Sequence, residues 1–197
     1  MRNFVTPLFN ILSKRFHENK IEKNKKNASR ESFIERLIDA KSNIHLFGMN
    51  FPNYFTNKNP ILEAFRELDK KEKTIDIYLY VPSEQVLKEI EEYIIYKKKN
   101  NYYIKNRNLL KIIDKRFKYL NIKVIVYNQF YKFGVSAIDL NTDISFLHLS
   151  KVNRRELIEH ASYFNLYYNE SNKAIFQIIE NFFKMIEKTG KNIKEIK

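Results

Sequence analysis

Two short runs of this sequence hold residue types able to act on a phosphate. The first is Lys132-Phe-Gly-Val-Ser-Ala-Ile-Asp139, in which a cation, the Ser136 hydroxyl and a terminal carboxylate lie along a strand-like segment. The second is His148-Leu-Ser-Lys151. An imidazole can attack phosphorus and leave again near neutral pH, and an ammonium can hold phosphoryl oxygens. His148 with Lys151 would therefore suit phosphodiester cleavage. The first run has no imidazole, and protonated Lys132 is no nucleophile. Positions three apart on a strand point to opposite faces. His148 and Lys151 could meet only if their strand stops at Leu149.

Basic clusters with interleaved aromatics offer a second chemistry. Lys97, Lys98, Lys99, Tyr102, Tyr103, Lys105 and Arg107 could hold phosphates while rings stack on bases. Lys151, Arg154 and Arg155 form another cluster, and the lysines of Lys20 to Lys26 a third. Against this stands the solvated face, which is what most charge runs are. The net charge of +13 likewise has two readings. It fits a nucleic-acid partner, and it fits the Lys, Asn and Ile excess of an AT-rich genome.

Several classes fall away. There is no Cys, so disulfides, thiolate catalysis and Cys-ligated zinc are excluded. Three Gly are too few for the usual phosphate loops, and no Gly-x-Ser-x-Gly elbow is present. His17, His45 and His160 are scattered; His45, inside a strand pattern, reads as a buried, hydrogen-bonded histidine. No metal or cofactor is expected. No apolar run reaches membrane-span length. Residues 4–16 place Phe4, Leu8, Ile11, Leu12 and Phe16 on one helical face, which reads as packing on its own domain before membrane contact. The expected location is cytoplasmic.

The elements that would position these residues follow from periodicity. A charged arm covers Glu18 to Arg30. Ser29 or Ser32 then caps a helix, with Glu35 in capping-box spacing to Ser32 and Phe33, Ile34, Leu37 and Ile38 inward. Asn43 to Met49 is a strand. Asn59-Pro60 opens a helix with Ile61, Leu62, Phe65 and Leu68 inward, and Thr74 to Val81 alternates as a strand. Ser83 to Leu120 reads as mostly helical, broken near Asn100-Asn101. Strand patterns follow at Ile122–Tyr127, Gly134–Ile138, Asp143–Leu149 and Ala161–Tyr168. A last helix starts at a Ser171 cap and ends at Gly190 as its C′ residue. The class is α/β: a three-layer sandwich with a mixed, mostly parallel sheet flanked by helices. Residues 1–28 form an N-terminal helix and basic arm, and 29–197 the α/β domain.

This order, from Ser29 to Thr189, resembles one repeat of the phospholipase D-like superfamily. The signature of that family is His-x-Lys-x4-Asp, with the His as nucleophile, the Lys on the phosphate and the Asp orienting the His. Laid on that signature, Lys132 stands in the His place, Gly134 in the Lys place, and Asp139 matches. The family's Gly-Ser-x-Asn after the signature is absent. The resemblance implies a degenerate single-repeat member, a pseudoenzyme whose vacated cleft holds Lys132, Ser136 and Asp139. It implies a homodimer too, because single repeats of the family pair with signature strands facing. The leading expectation is a non-catalytic domain that recognises a protein, a nucleic acid or a phosphorylated ligand. The alternatives are an active phosphodiesterase or nuclease using His148 and Lys151, and a purely charge-driven nucleic-acid binder.

Overall fold

The computed structural model describes residues 26–48, 60–93, 117–151 and 162–192. Helix α1 (Lys26–Ile38) begins inside the stretch read as a charged arm, ahead of Ser29 and Ser32. Ser32 therefore lies within the helix and does not cap it. Its hydroxyl pairs with the Tyr167 phenol at 2.9 Å. Strand β1 (Asn43–Phe47) follows, then α2 (Pro60–Lys70), opened by Pro60 as the sequence indicates. Strand β2 (Ile75–Pro82) runs one residue past Val81. Ser83 caps α3 (Glu84–Tyr93): its hydroxyl accepts the Val86 N–H at 3.3 Å. The expected helix break at Asn100-Asn101 lies outside the described residues. Leu120 opens β3 (Leu120–Tyr127) and does not end a helix.

Strands β4 (Phe133–Ile138), β5 (Phe146–Lys151) and β6 (Ser162–Tyr167) form successive antiparallel pairs. Asp143 falls in the turn before β5, not in the strand. A 3₁₀ turn (Glu170–Asn172) leads into α4 (Lys173–Thr189). The Asn169 side chain accepts the Asn172 N–H, and the Asn172 side chain accepts the Asn169 N–H, a reciprocal cap. Ser171, the expected cap, instead donates its hydroxyl to Asn169 Oδ1 at 2.6 Å. Gly190 closes α4 by donating its N–H to Ile186 O, but with an extended backbone (φ −79°) rather than a left-handed one. A Cβ there would sit 2.6 Å from Ile125 Cγ2 and 2.9 Å from Val126 O, so close approach to β3 is what requires glycine. A two-residue β7 (Lys191–Asn192) then pairs with β3.

The seven strands form one mixed sheet in the order β6-β5-β4-β1-β2-β3-β7. Its balance differs from the expected mostly parallel one. Only β1–β2 and β2–β3 are parallel; β1–β4, β4–β5, β5–β6 and β3–β7 are antiparallel. The short turn from Asp139 to Ser145 is the reason, since parallel neighbours need a long crossover.

Helices cover both faces, giving three layers. On one face α1 and α2 set Phe33, Leu37, Leu62 and Phe65 against Ile44, Leu46, Ile77 and Leu79. On the other, α3 and α4 close an aromatic core in which Phe47, Tyr80, Tyr127, Tyr131, Phe133, Phe182 and Phe183 are all buried. Each such side chain stabilises the fold by about 1.5–3 kcal/mol through burial alone. No described helix is long and apolar enough to cross a membrane. Residues 4–16 lie outside the described residues.

Candidate functional site

The β4–β5 hairpin carries both runs singled out in the sequence, and its pleat sorts them. Phe133, Val135 and Ala137 face the aromatic core under α4, as do Leu147 and Leu149. By alternation Gly134, Ser136 and Ile138 turn to the α1–α2 side, with Phe146, His148 and Ser150. Register pairs Phe133 with Lys151, Gly134 with Ser150, Ser136 with His148, and Ile138 with Phe146.

This geometry parts Lys132 from Asp139. They stand at opposite ends of β4, roughly 24 Å apart at about 3.4 Å per residue, so no single cleft contains both. Asp139 is 3% exposed and adopts φ 52°, the left-handed region that Asp tolerates better than most residues. Its Oδ1 accepts the amides of Lys41 at 2.8 Å and Ser42 at 2.7 Å, and the Ser42 hydroxyl at 3.1 Å. Its own N–H donates to Asn43 O, and its carbonyl accepts the hydroxyls of Thr142 and Ser145. The carboxylate thus ties the entry of β1 to the exit of β4.

At the other end, Lys132 is exposed and borders the Phe133–Lys151 pair. Gly134 lies just below, under the Ser150 hydroxyl. A Cβ on Gly134 would stand 2.6 Å from Ser150 Oγ and 3.2 Å from Phe47 O. Any side chain at 134 requires the serine hydroxyl to swing aside and the β1 carbonyl to give. Ser136, one row deeper, is buried opposite His148.

His148 is 8% exposed. Its ring stacks on Phe33 of α1, centroids 4.5 Å apart, and its Nδ1 lies 2.7 Å from Asn165 Oδ1 on β6. An amide oxygen only accepts, so with the amide in this orientation the imidazole proton sits on Nδ1. Strand β5 does not stop at Leu149 but runs through Lys151. The condition for His148 and Lys151 to meet, a strand that stops at Leu149, is therefore not fulfilled. Asn165 escaped the sequence reading. Its signal was a lone amide in the otherwise aromatic and apolar Tyr163–Tyr167 segment.

A second polar group sits on the α4 face. His45 is buried, as its place in a strand predicted, and lies between Tyr78 (centroids 4.4 Å, interplanar 2°) and Phe183 (4.7 Å). The Tyr80 hydroxyl donates to Glu187 Oε1 at 2.6 Å, so the His45 Nδ1–H donates to Tyr80 at 2.9 Å. Burial holds the His45 pKa down to about 4, so the imidazole is neutral. Burial and the Glu187 bond push the Tyr80 phenol far up. Lys123 Nζ lies 4.7 Å over the Tyr78 ring and bonds its hydroxyl at 3.2 Å, which raises the lysine's pKa. Among the described residues, no three His, Asp or Glu side chains gather as a metal site.

The basic aromatic cluster Lys97, Lys98, Lys99, Tyr102, Tyr103, Lys105 and Arg107 lies outside the described residues, as do Arg154, Arg155 and the arm before Lys26.

No protein-family model matches the chain, and no curated protein matches it in sequence. Among solved structures it is similar to NucT from Helicobacter pylori, with TM-score 0.46 and 13% identity over 86% of this chain and 94% of that one. It is also similar to TrmBL2, an archaeal chromatin protein whose structure shows a novel mode of DNA binding. There the TM-score is 0.43 and the identity 10%, over 83% of this chain and about half (49%) of the other. Likeness at this level is too distant to carry chemistry or ligand from either protein to this chain.

Proposed function

We propose that this chain is a degenerate phospholipase D-like domain that binds the phosphates of a nucleic acid without cleaving them, at the hairpin end bearing Lys132 and Lys151. The close packing of Gly134 under Ser150 carries the reading. Where the resembled signature needs a phosphate-holding lysine, the backbone has no side chain and little room for one. Where it needs a nucleophilic imidazole, an exposed ammonium stands. The hairpin's own imidazole, His148, is stacked, hydrogen-bonded and buried one row deeper.

Charge supports binding at this end. The Phe133–Lys151 register makes Lys132 and Lys151 neighbours at the hairpin end. Arg154 and Arg155 follow within about 14 Å of chain reach from Lys151. A net charge of +13 supplies long-range attraction for a polyanion.

The test is titration of a fluorescent oligonucleotide at several salt concentrations. Binding should weaken linearly in log[salt], and Lys132→Ala with Lys151→Ala should flatten that slope by about 2. The oligonucleotide should remain intact throughout. Absent or salt-insensitive binding would overturn the proposal, as would cleavage that His148→Ala abolishes.

A further inference from the structure

Helices α1 and α2 share one face of the sheet but hold to it differently. Helix α2 buries Ile61, Leu62, Ala64, Phe65 and Leu68. The residues of β2 in the same core, Ile75, Ile77 and Leu79, are all apolar. Helix α1 buries Phe33 and Leu37, with Ile34 and Ile38 only partly covered. On its β4–β6 side lies a polar row, Ser136, His148 and Asn165, set side by side by register. Burial of apolar area is the main attraction between layers, so α1 is the more weakly held helix.

The row adds a cost to docking. Ser136 is 7% exposed, and its hydroxyl has no hydrogen-bond partner among the described residues. A hydroxyl buried in that way is unfavourable, because it gives up water and gains nothing. Helix α1 reaches the row through Phe33, whose ring stacks on His148.

The rest of the attachment is at the rim. Ser32 Oγ and the Tyr167 phenol pair at 2.9 Å, and Arg36 lies 5.0 Å over the Tyr167 ring. Tyr167 is 46% exposed, so water competes for both contacts. Just past the helix the chain is pinned, because Asp139 holds the amides of Lys41 and Ser42. A helix fixed at its exit and lightly held along one side opens as a unit about that end.

We infer that α1 is a retractable cover over Ser136, His148 and Asn165, and that the phosphate-binding end of the hairpin extends beneath it. With α1 lifted, the Ser136 hydroxyl becomes a donor to a phosphate oxygen. Ser136 lies four residues along β4 from Lys132, about 14 Å at the rise of a strand. The two therefore hold different phosphates of one oligonucleotide. The ligand gains a contact in the open form that the closed form lacks, and that difference is what shifts the balance towards opening. The identity of the ligand rests on the proposed function; the opening of α1 does not.

Amide hydrogen exchange on the full chain tests the cover. In the free protein the α1 amides should exchange faster than those of α2. Saturating oligonucleotide should speed exchange in α1 further and leave α2 as it was. Ser136→Ala removes the hydroxyl that is costly in the closed form and useful in the open one. It should slow α1 exchange and weaken oligonucleotide binding by about 2- to 10-fold, with the salt slope unchanged. Ser32→Ala with Tyr167→Phe deletes the rim pair, alters no charge and keeps a ring under Arg36. It should speed α1 exchange and tighten binding by about 2- to 5-fold. Circular dichroism and thermal midpoints verify that the variants are folded. The inference is overturned by α1 amides as protected as those of α2, by α1 protection that rises on binding, or by Ser136→Ala leaving α1 exchange unaltered. If no oligonucleotide binds at any salt concentration, the proposed function falls. Exchange in free α1, with and without the Ser136 hydroxyl, then still decides whether the cover opens.

Discussion

Asp139 accepts two hydrogen bonds from Ser42, one from its amide at 2.7 Å and one from its hydroxyl at 3.1 Å. With the Lys41 amide this makes three donors on one buried oxygen, at the far end of the strand from Lys132. The carboxylate that matches the resembled signature's Asp is held by the backbone. Four predictions follow from this and related contacts.

Asp139→Ala leaves two amides and a hydroxyl without their acceptor and removes a residue suited to φ 52°. Unfolding in urea should show a loss of roughly 2–4 kcal/mol. Asp139→Asn, which retains an acceptor oxygen, should lose less. Oligonucleotide affinity should be unchanged in whichever variant stays folded. Full stability with lost affinity would place Asp139 in a binding cleft after all.

Acid should destabilise the fold through His45. Its pKa is about 4 in the native state against the ordinary 6.5 of an exposed histidine, so the unfolded chain binds the extra proton first. The contribution is complete above pH 6.5 and is lost as pH falls towards 4, amounting to about 3 kcal/mol at most. Asp76, Lys123, Tyr78, Tyr80 and Glu187 surround the ring and set the balance. His45→Gln should flatten this part of the stability–pH curve, whatever it does to stability at pH 7. An unaltered curve would show that another group governs the acid limb.

Gly190→Ala should be costlier than Gly134→Ala. At Gly190 the new methyl meets two backbone carbonyls and a β-branched side chain, all under 3.0 Å. At Gly134 the closest atom is a serine hydroxyl that can rotate. Overpacking of the first kind costs about 1–3 kcal/mol, and chemical denaturation of the two variants gives the order directly. Ser150→Ala should relieve part of the Gly134→Ala loss.

Lys132→Ala alone should lower the salt slope of oligonucleotide binding by about 1. A binding isotherm at three salt concentrations is sufficient. An unchanged slope would move the phosphate contact away from the hairpin, towards the Lys97–Arg107 cluster.

Periodicity was enough to place β1 to β6 within a few residues, because alternation at Ile75–Val81 and the apolar runs at β1 and β4 mirror burial directly, whereas the two-residue β7 is too short to carry a pattern. It was enough for the helices at Pro60 and Ser83 too, where local capping chemistry acts within one turn. The same local logic failed at Ser32 and Ser171. Each has a cap's chemistry, but Ser32 finds Tyr167 from 135 residues away, and Ser171 serves Asn169, whose side chain reaches the helical amide first.

Residue types and their order were enough for the α/β class, the absence of cysteine chemistry, the basic charge and the lack of a His-x-Lys pair between Lys132 and Asp139. Those depend on composition and on neighbours along the chain. The folded chain alone reveals that Asp139 bonds to the Lys41 and Ser42 amides, and that His148 stacks on Phe33 and bonds to Asn165. It also places β6 at the end of the sheet among the described residues. These facts depend on which strands become neighbours and in what register, and a one-residue slip would turn every one of those side chains to the other face.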